Sequence, residues 1–195
     1  MESTRYQSRR LVLDRSPQDA PVQELASDQG WQRVEEVSEE DARQIVWAVA
    51  PGMALNYIED PVSHNAYLVL VSDRRERVDE ILEAIQQELM PWENRALLVS
   101  LDEARDPLSQ ARAVIRAGLG APDEFDEAFF SRIRSSLSHS DKWVREAAVW
   151  ATAYSPWPQY RPLLEMAAQN DPDEKIRSDA AAVLAGFNSE GVEGP

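Results

Sequence analysis

The chain has 195 residues, 43% hydrophobic and 28% charged, which is enough apolar material for one large or two small domains and argues against wholesale disorder. It has no cysteine, which excludes disulfides, thiolate catalysis, Fe–S clusters and cysteine-based zinc sites and points to a reducing, cytoplasmic setting. The net charge is −15, with 20 Asp/Glu against 10 Lys/Arg in residues 1–102 and 15 against 10 in residues 103–195. A field of this sign repels phosphate backbones and anionic lipids and attracts basic partners, so nucleic acid is a disfavoured ligand.

No apolar run reaches the roughly 18 residues a membrane span needs. The opening MESTRYQSRR carries arginines, and no apolar stretch follows to make a secretory signal. Residues 1–8 read as a loose tail and Arg10–Leu13 as a short strand. Ser16-Pro17-Gln18-Asp19 reads as a helix start, with Ser at the N-cap and Pro at the first helical position. That helix is expected to end near Asp28-Gln29-Gly30, and Trp31–Val37 to form a strand.

Ser38-Glu39-Glu40-Asp41 looks like a second helix start. The apolar residues Ala42, Ile45, Val46 and Val49 follow at helical spacing, and Pro51-Gly52 closes the segment. Met53–Ile58 and Ala66–Val71 are β-prone runs joined by turn residues, which predicts an antiparallel hairpin over about 53–71. A helix to Leu89 then carries Val78, Ile81, Leu82, Ile85 and Leu89 on one stripe. Residues 1–90 thus predict a small α+β domain, a three- or four-stranded sheet with helices on one face.

From Pro91 helix follows helix. Trp92–Leu101 fits a helical face, although Arg95–Leu101 could also be a strand. Asp106-Pro107 opens a helix carrying Leu108, Ala111, Ile115 and Leu119, expected to close at Gly118/Gly120. Another starts at Pro122, with Phe125, Phe129, Phe130, Ile133 and Leu137 inward. Pro156–Pro162 leads a helix with Tyr160, Leu163, Leu164 and Ala167. Residues 188–195 read as a flexible tail.

Two segments repeat at a constant offset of 32 residues: DKWVREAAVWATAY (141–154) and DEKIRSDAAAVLAGF (173–187). Asp141 aligns with Asp173, Val144 with Ile176, Arg145 with Arg177 and Ala148 with Ala180. That period lies in the range of stacked repeats. Asp171-Pro172-Asp173 with Ile176, Arg177, Ala180, Ala181 and Leu184 resembles the short HEAT-like repeat, D-P-D-x-x-V-R-x-x-A-A-x-x-L. His139-Ser140-Asp141 with Val144, Arg145, Ala147 and Ala148 is similar, with His-Ser in place of Asp-Pro. Asp106-Pro107 with Ala113 makes a degraded third copy at offset 35, where Ser109 and Gln110 replace the Val-Arg pair. The resemblance implies an all-α solenoid of about three helix pairs over 91–187, helix-dominated overall. It also implies an interaction scaffold, with the second helix of each pair lining the concave surface. Asp141 and Asp173 are expected to cap helices, and Arg145 and Arg177 to pair with them at the surface or reach the turn of the next repeat.

Trp143 and Trp150 are seven apart and share a helix face. By the repeat offset Trp143 corresponds to Leu108 and Lys175, and Trp150 to Ile115 and Ala182. With Glu146 beside them, Trp143, Trp150, Leu108, Ile115 and Lys175 form the expected partner-binding strip. Trp157 is expected to act as a packing staple. The only histidines, His64 and His139, have no spacing for a metal site, and no phosphate loop or nucleophile elbow is present. No cofactor, metal or catalytic residue is therefore assigned. The expected function is non-enzymatic protein–protein interaction with a basic partner. A narrower form is an antidote that inhibits a cationic toxin or nuclease, and the competing class is an enzyme with a site at the domain junction using Glu59, Asp60 and His64.

Overall fold

The computed structural model describes residues 6–13, 18–38, 42–73 and 77–192. The chain divides into two compact units, Met1–Trp92 and Glu93–Pro195.

The first unit is an antiparallel sheet with two helices. In chain order come β1 (Tyr6–Gln7), β2 (Leu11–Val12), α1 (Asp19–Asp28), β3 (Gln32–Ser38), β4 (Arg43–Ala50), β5 (Met53–Glu59), β6 (Ala66–Ser72) and α2 (Val78–Leu89). The sheet runs β1-β6-β5-β4-β3, and β2 also pairs with β6, so it has six strands where the sequence suggested three or four. The two strands beyond that expectation are β1, only two residues long, and β4, while β2 falls within the strand expected at 10–13. β1 lies in the expected loose tail, whose first five residues are outside the described region. Ser8 extends that edge, donating its N–H to Leu70 O and accepting the Leu70 N–H on Oγ.

The expected helix at 42–50 is a strand. Ile45 and Trp47 join the core face beside Leu55, Tyr57, Leu68 and Leu70, while Val46 lies on the opposite face. An apolar set at i, i+3, i+4 and i+7 also arises when a strand is apolar on both faces, and β-branched and aromatic residues favour that choice. Pro51-Gly52 is a two-residue hairpin turn that pairs Ala50 with Met53. Gly52 has φ +74°, and a Cβ there would collide with the Asp73 carboxylate. Ser38 ends β3; Glu39, Glu40 and Asp41 of the expected cap lie outside the described residues. The Ser16-Pro17 cap also lies outside them. α1 starts at Asp19, and its N-cap residue Gln18 donates its N–H to the Tyr57 hydroxyl.

The second unit is three antiparallel-type helix pairs: α3 (Asn94–Glu103) with α4 (Pro107–Gly120), α5 (Glu127–Leu137) with α6 (Lys142–Tyr154), and α7 (Arg161–Asn170) with α8 (Glu174–Ser189). The second helices pack in succession, α4 on α6 on α8, as do the first helices α3, α5 and α7. Residues 95–101 are helical, with Leu97 fully buried, which settles the strand alternative. Asp106, Asp141 and Asp173 each cap a second helix by accepting first-turn N–H groups.

α4 closes at Gly120, as expected, with Gly118 buried in its last turn. A Cβ on Gly118 would sit 2.6 Å from the Ala151 backbone, so this glycine serves helix contact. Three other local expectations need correction. α5 begins after Asp126, whose carboxylate accepts the Ala128 and Phe129 N–H groups, not at Pro122, and Phe125 precedes it as an exposed ring against Trp157. The tail is also partly tied, since α8 continues to Ser189 and Arg161 donates to Asn188 Oδ1 and Val192 O.

Candidate protein-interaction surface

The first turns of α4, α6 and α8 carry Leu108, Trp143 and Lys175 at equivalent positions. All three are exposed, Leu108 and Trp143 each at 58%. The helices place them there for a local reason: an Asp cap fixes the start of each helix, and the capped residue's second successor then projects outward. Their buried neighbours Ala113, Val144 and Ile176 hold each helix against the stack. Trp150, two turns along from Trp143, is half-buried. Ile115 is buried at 8%, so this member of the expected strip belongs to the packing between helices.

The strip's charges are mutually engaged. Lys175 Nζ donates to Glu146 Oε1 at 2.6 Å and to Asp179 Oδ2 at 2.8 Å. Lys142 Nζ reaches Asp173 Oδ2 at 3.2 Å and lies 4.8 Å from the Trp143 ring centroid. These two residues are the only lysines in the sequence, and both bridge α6 to α8. The pairing raises the Lys175 pKa, chiefly through Asp179 and then Glu146, and lowers that of Asp173, chiefly through Lys142. What remains open at the centre of the strip is apolar area.

The repeat arginines hold the edge of the stack. Arg145 does not pair with its own cap Asp141; it reaches the turn of the next repeat. Its Nε and Nη2 donate to Asp171 Oδ2 and Oδ1 at 2.7 and 3.1 Å, and Nη1 donates to His139 O and Ser140 O. The two side chains are 11% and 5% exposed, so this is a nearly buried bidentate pair in place of a surface i,i+4 contact. Asp171 is further tied by accepting the Asp173 N–H on its carboxylate and the Arg177 guanidinium on its carbonyl. Arg145 holds the Asp171 carboxyl below its ordinary range.

His139 occupies in the second repeat the position of Asp171 in the third. Its Nδ1 accepts the Asp141 N–H at 3.0 Å, as Asp171 Oδ1 accepts the Asp173 N–H at 2.9 Å. The matching arginine is also gone, since Gln110 stands where Arg145 and Arg177 stand. Losing both partners together avoids a buried unpaired charge.

The residues of the enzyme alternative have structural partners. The Asp60 carboxylate accepts the Ser63 N–H within the β5–β6 turn, where His64 has φ 54°, and Glu59 accepts the Tyr57 hydroxyl at 2.8 Å. Among the described residues no group of three His, Asp or Glu side chains could hold a metal ion. No helix among them is long and apolar enough to cross a membrane. Trp157 is buried, and its Nε1 donates to Asp123 O.

The sequence model for HEAT repeats matches residues 94–185, which run from the start of α3 into α8. The C-terminal half is a HEAT-repeat unit. No curated protein and no solved structure matches the chain. HEAT repeats commonly mediate protein–protein contacts and are typically non-enzymatic.

Proposed function

We propose that the HEAT unit is a non-enzymatic docking platform for a partner protein with a basic surface. In this reading Trp143, Leu108 and the open side of Trp150 form the contact centre, and Glu146 and Lys175 its rim. The observation that carries the reading is the exposure of Trp143 on a helix held rigid by its neighbours. A large indole left in water on a fixed scaffold supplies contact area at low cost in side-chain entropy. The net charge of −15 supports the basic partner through long-range steering, because the strip's own carboxylates are already paired. Occlusion of a cationic toxin or nuclease is the narrower form of this reading, favoured by the same acidity.

The two contributions separate kinetically. A partner captured by the wild type and measured by surface interferometry should associate more slowly as salt rises, since steering is screened. It should dissociate at least tenfold faster from Trp143→Ala, at unchanged thermal stability. Retention of every partner by Trp143→Ala/Trp150→Ala would refute the surface assignment.

A further inference from the structure

A concavity of about 370 Å³ opens between the second and third helix pairs, and none of its lining residues belongs to the first-turn strip. One wall is apolar, made by Leu137, Leu163, Ala167 and Met166, the last 62% exposed. Arg134, His139 and the Arg145–Asp171 pair also line it, with Ser138, Asn170 and Pro172 at its margin. That pair is neutral as a unit, so the local balance is positive within a strongly acidic molecule.

Both donors are available. Arg134 lies with its guanidinium carbon 5.5 Å from the Phe130 ring centroid and makes no ion pair or hydrogen bond to a described residue. Stacking on a ring leaves the N–H edges of a guanidinium free for a planar acceptor. His139 has committed Nδ1 as an acceptor from the Asp141 N–H, which places the neutral ring's proton on Nε2 as a donor. The third repeat could not offer this, because Asp171 at the same position carries a carboxylate already taken by Arg145. Replacing that Asp by His thus changes an acceptor site into a donor site next to an aliphatic wall.

We propose that this pocket binds a carboxylate carried on an aliphatic residue, namely the free C-terminus of a partner polypeptide ending in leucine or valine. The carboxylate would accept from Arg134 and His139 Nε2–H while the last side chain lies against Leu163 and Met166. Carboxylate and apolar group must sit on one residue, because donors and wall belong to one small cavity. A longer acidic side chain would leave the wall uncovered.

The test uses the full chain and two probes, acetyl-Ala-Leu with a free carboxylate and acetyl-Ala-leucinamide, titrated by two-dimensional NMR. The acid should shift the His139 ring and Met166 methyl resonances, and the amide should bind at least tenfold more weakly. Arg134→Gln should lose roughly tenfold in affinity for the acid. The double variant Gln110→Arg/His139→Asp, which copies the third repeat's pair and keeps an acceptor for the Asp141 N–H, should abolish binding at unchanged melting temperature. Isovalerate should bind more weakly than acetyl-Ala-Leu; equal affinity would overturn the polypeptide assignment. Equal affinities for acid and amide, or a response untouched by Arg134→Gln, would overturn the proposal as a whole. The outcome is independent of Trp143, so it stands or falls apart from the docking strip.

Discussion

The two junctions between successive second helices are built from different physics. Where α4 meets α6, the backbones approach so closely at Gly118 that a Cβ would strike Ala151. Arg and Asp are both missing from the repeat edge there, Gln110 and His139 standing in their places. Where α6 meets α8, three ion pairs cross the junction: Arg145–Asp171, Lys142–Asp173 and Lys175–Glu146. One repeat architecture therefore accepts either close packing or charge pairing as its adhesive. The charge-paired junction also fixes the first turn of α6, and with it the orientation of Trp143.

Breaking the buried pair should have the largest effect. Asp171→Ala leaves the Arg145 guanidinium largely buried with only carbonyl partners, and should cost about 3 kcal/mol in urea unfolding. Gly118→Ala comes next: crowding against the Ala151 backbone should cost about 2 kcal/mol, even after the helix-propensity gain of an alanine. If Gly118→Ala instead stabilises the protein, the close-packing half of the comparison is wrong. Lys175→Ala should matter least, about 1 kcal/mol, because the lysine is itself 60% exposed and screened, although the Glu146 and Asp179 side chains it bridges are only 19% and 15% exposed.

Acid sharpens the same contrast. The folded-state pKa of Asp171 lies below its unfolded value of about 3.9, because Arg145 favours the charged carboxylate. Its contribution is therefore complete above that unfolded value and lost as the pH falls through the depressed folded one. Asp102 behaves alike through Arg132. The stability gap between wild type and Asp171→Asn, measured by chemical unfolding, should be widest near neutrality and shrink steadily as the pH falls below the unfolded value of about 3.9. A gap independent of pH would show that charge pairing contributes nothing at this junction.

The HEAT unit was the more legible half, and the reason is locality. Asp caps at 106, 141 and 173, the Val144/Ile176 pair and the 32-residue offset all act within a turn or two of their own position. The sequence leaves the destination of Arg145 open because its partner lies 26 residues away and exists only once the repeats stack. The alignment already placed His139 opposite Asp171; what the sequence lacked was the geometry showing a ring nitrogen doing a carboxylate's work. Ile115 looked like a strip residue because helical spacing gives the face and not the depth. In the sheet unit the error at β4 has a different origin, since a strand apolar on both faces carries no clean period of two. The two-residue strand β1 is defined only by its pairing with β6, a contact some 60 residues away, whereas β2 falls within the apolar run Leu11–Leu13 that already reads as a strand.

The most direct test of the central claim is site-specific crosslinking. A photoreactive phenylalanine analogue placed at position 143, at its equivalent 108, and on the buried side at 144 would be activated in the presence of a captured partner. The docking reading predicts one crosslinked partner shared by positions 143 and 108, weakened by salt and absent from 144. Crosslinks that appear equally from all three positions, or from neither 143 nor 108, would contradict it.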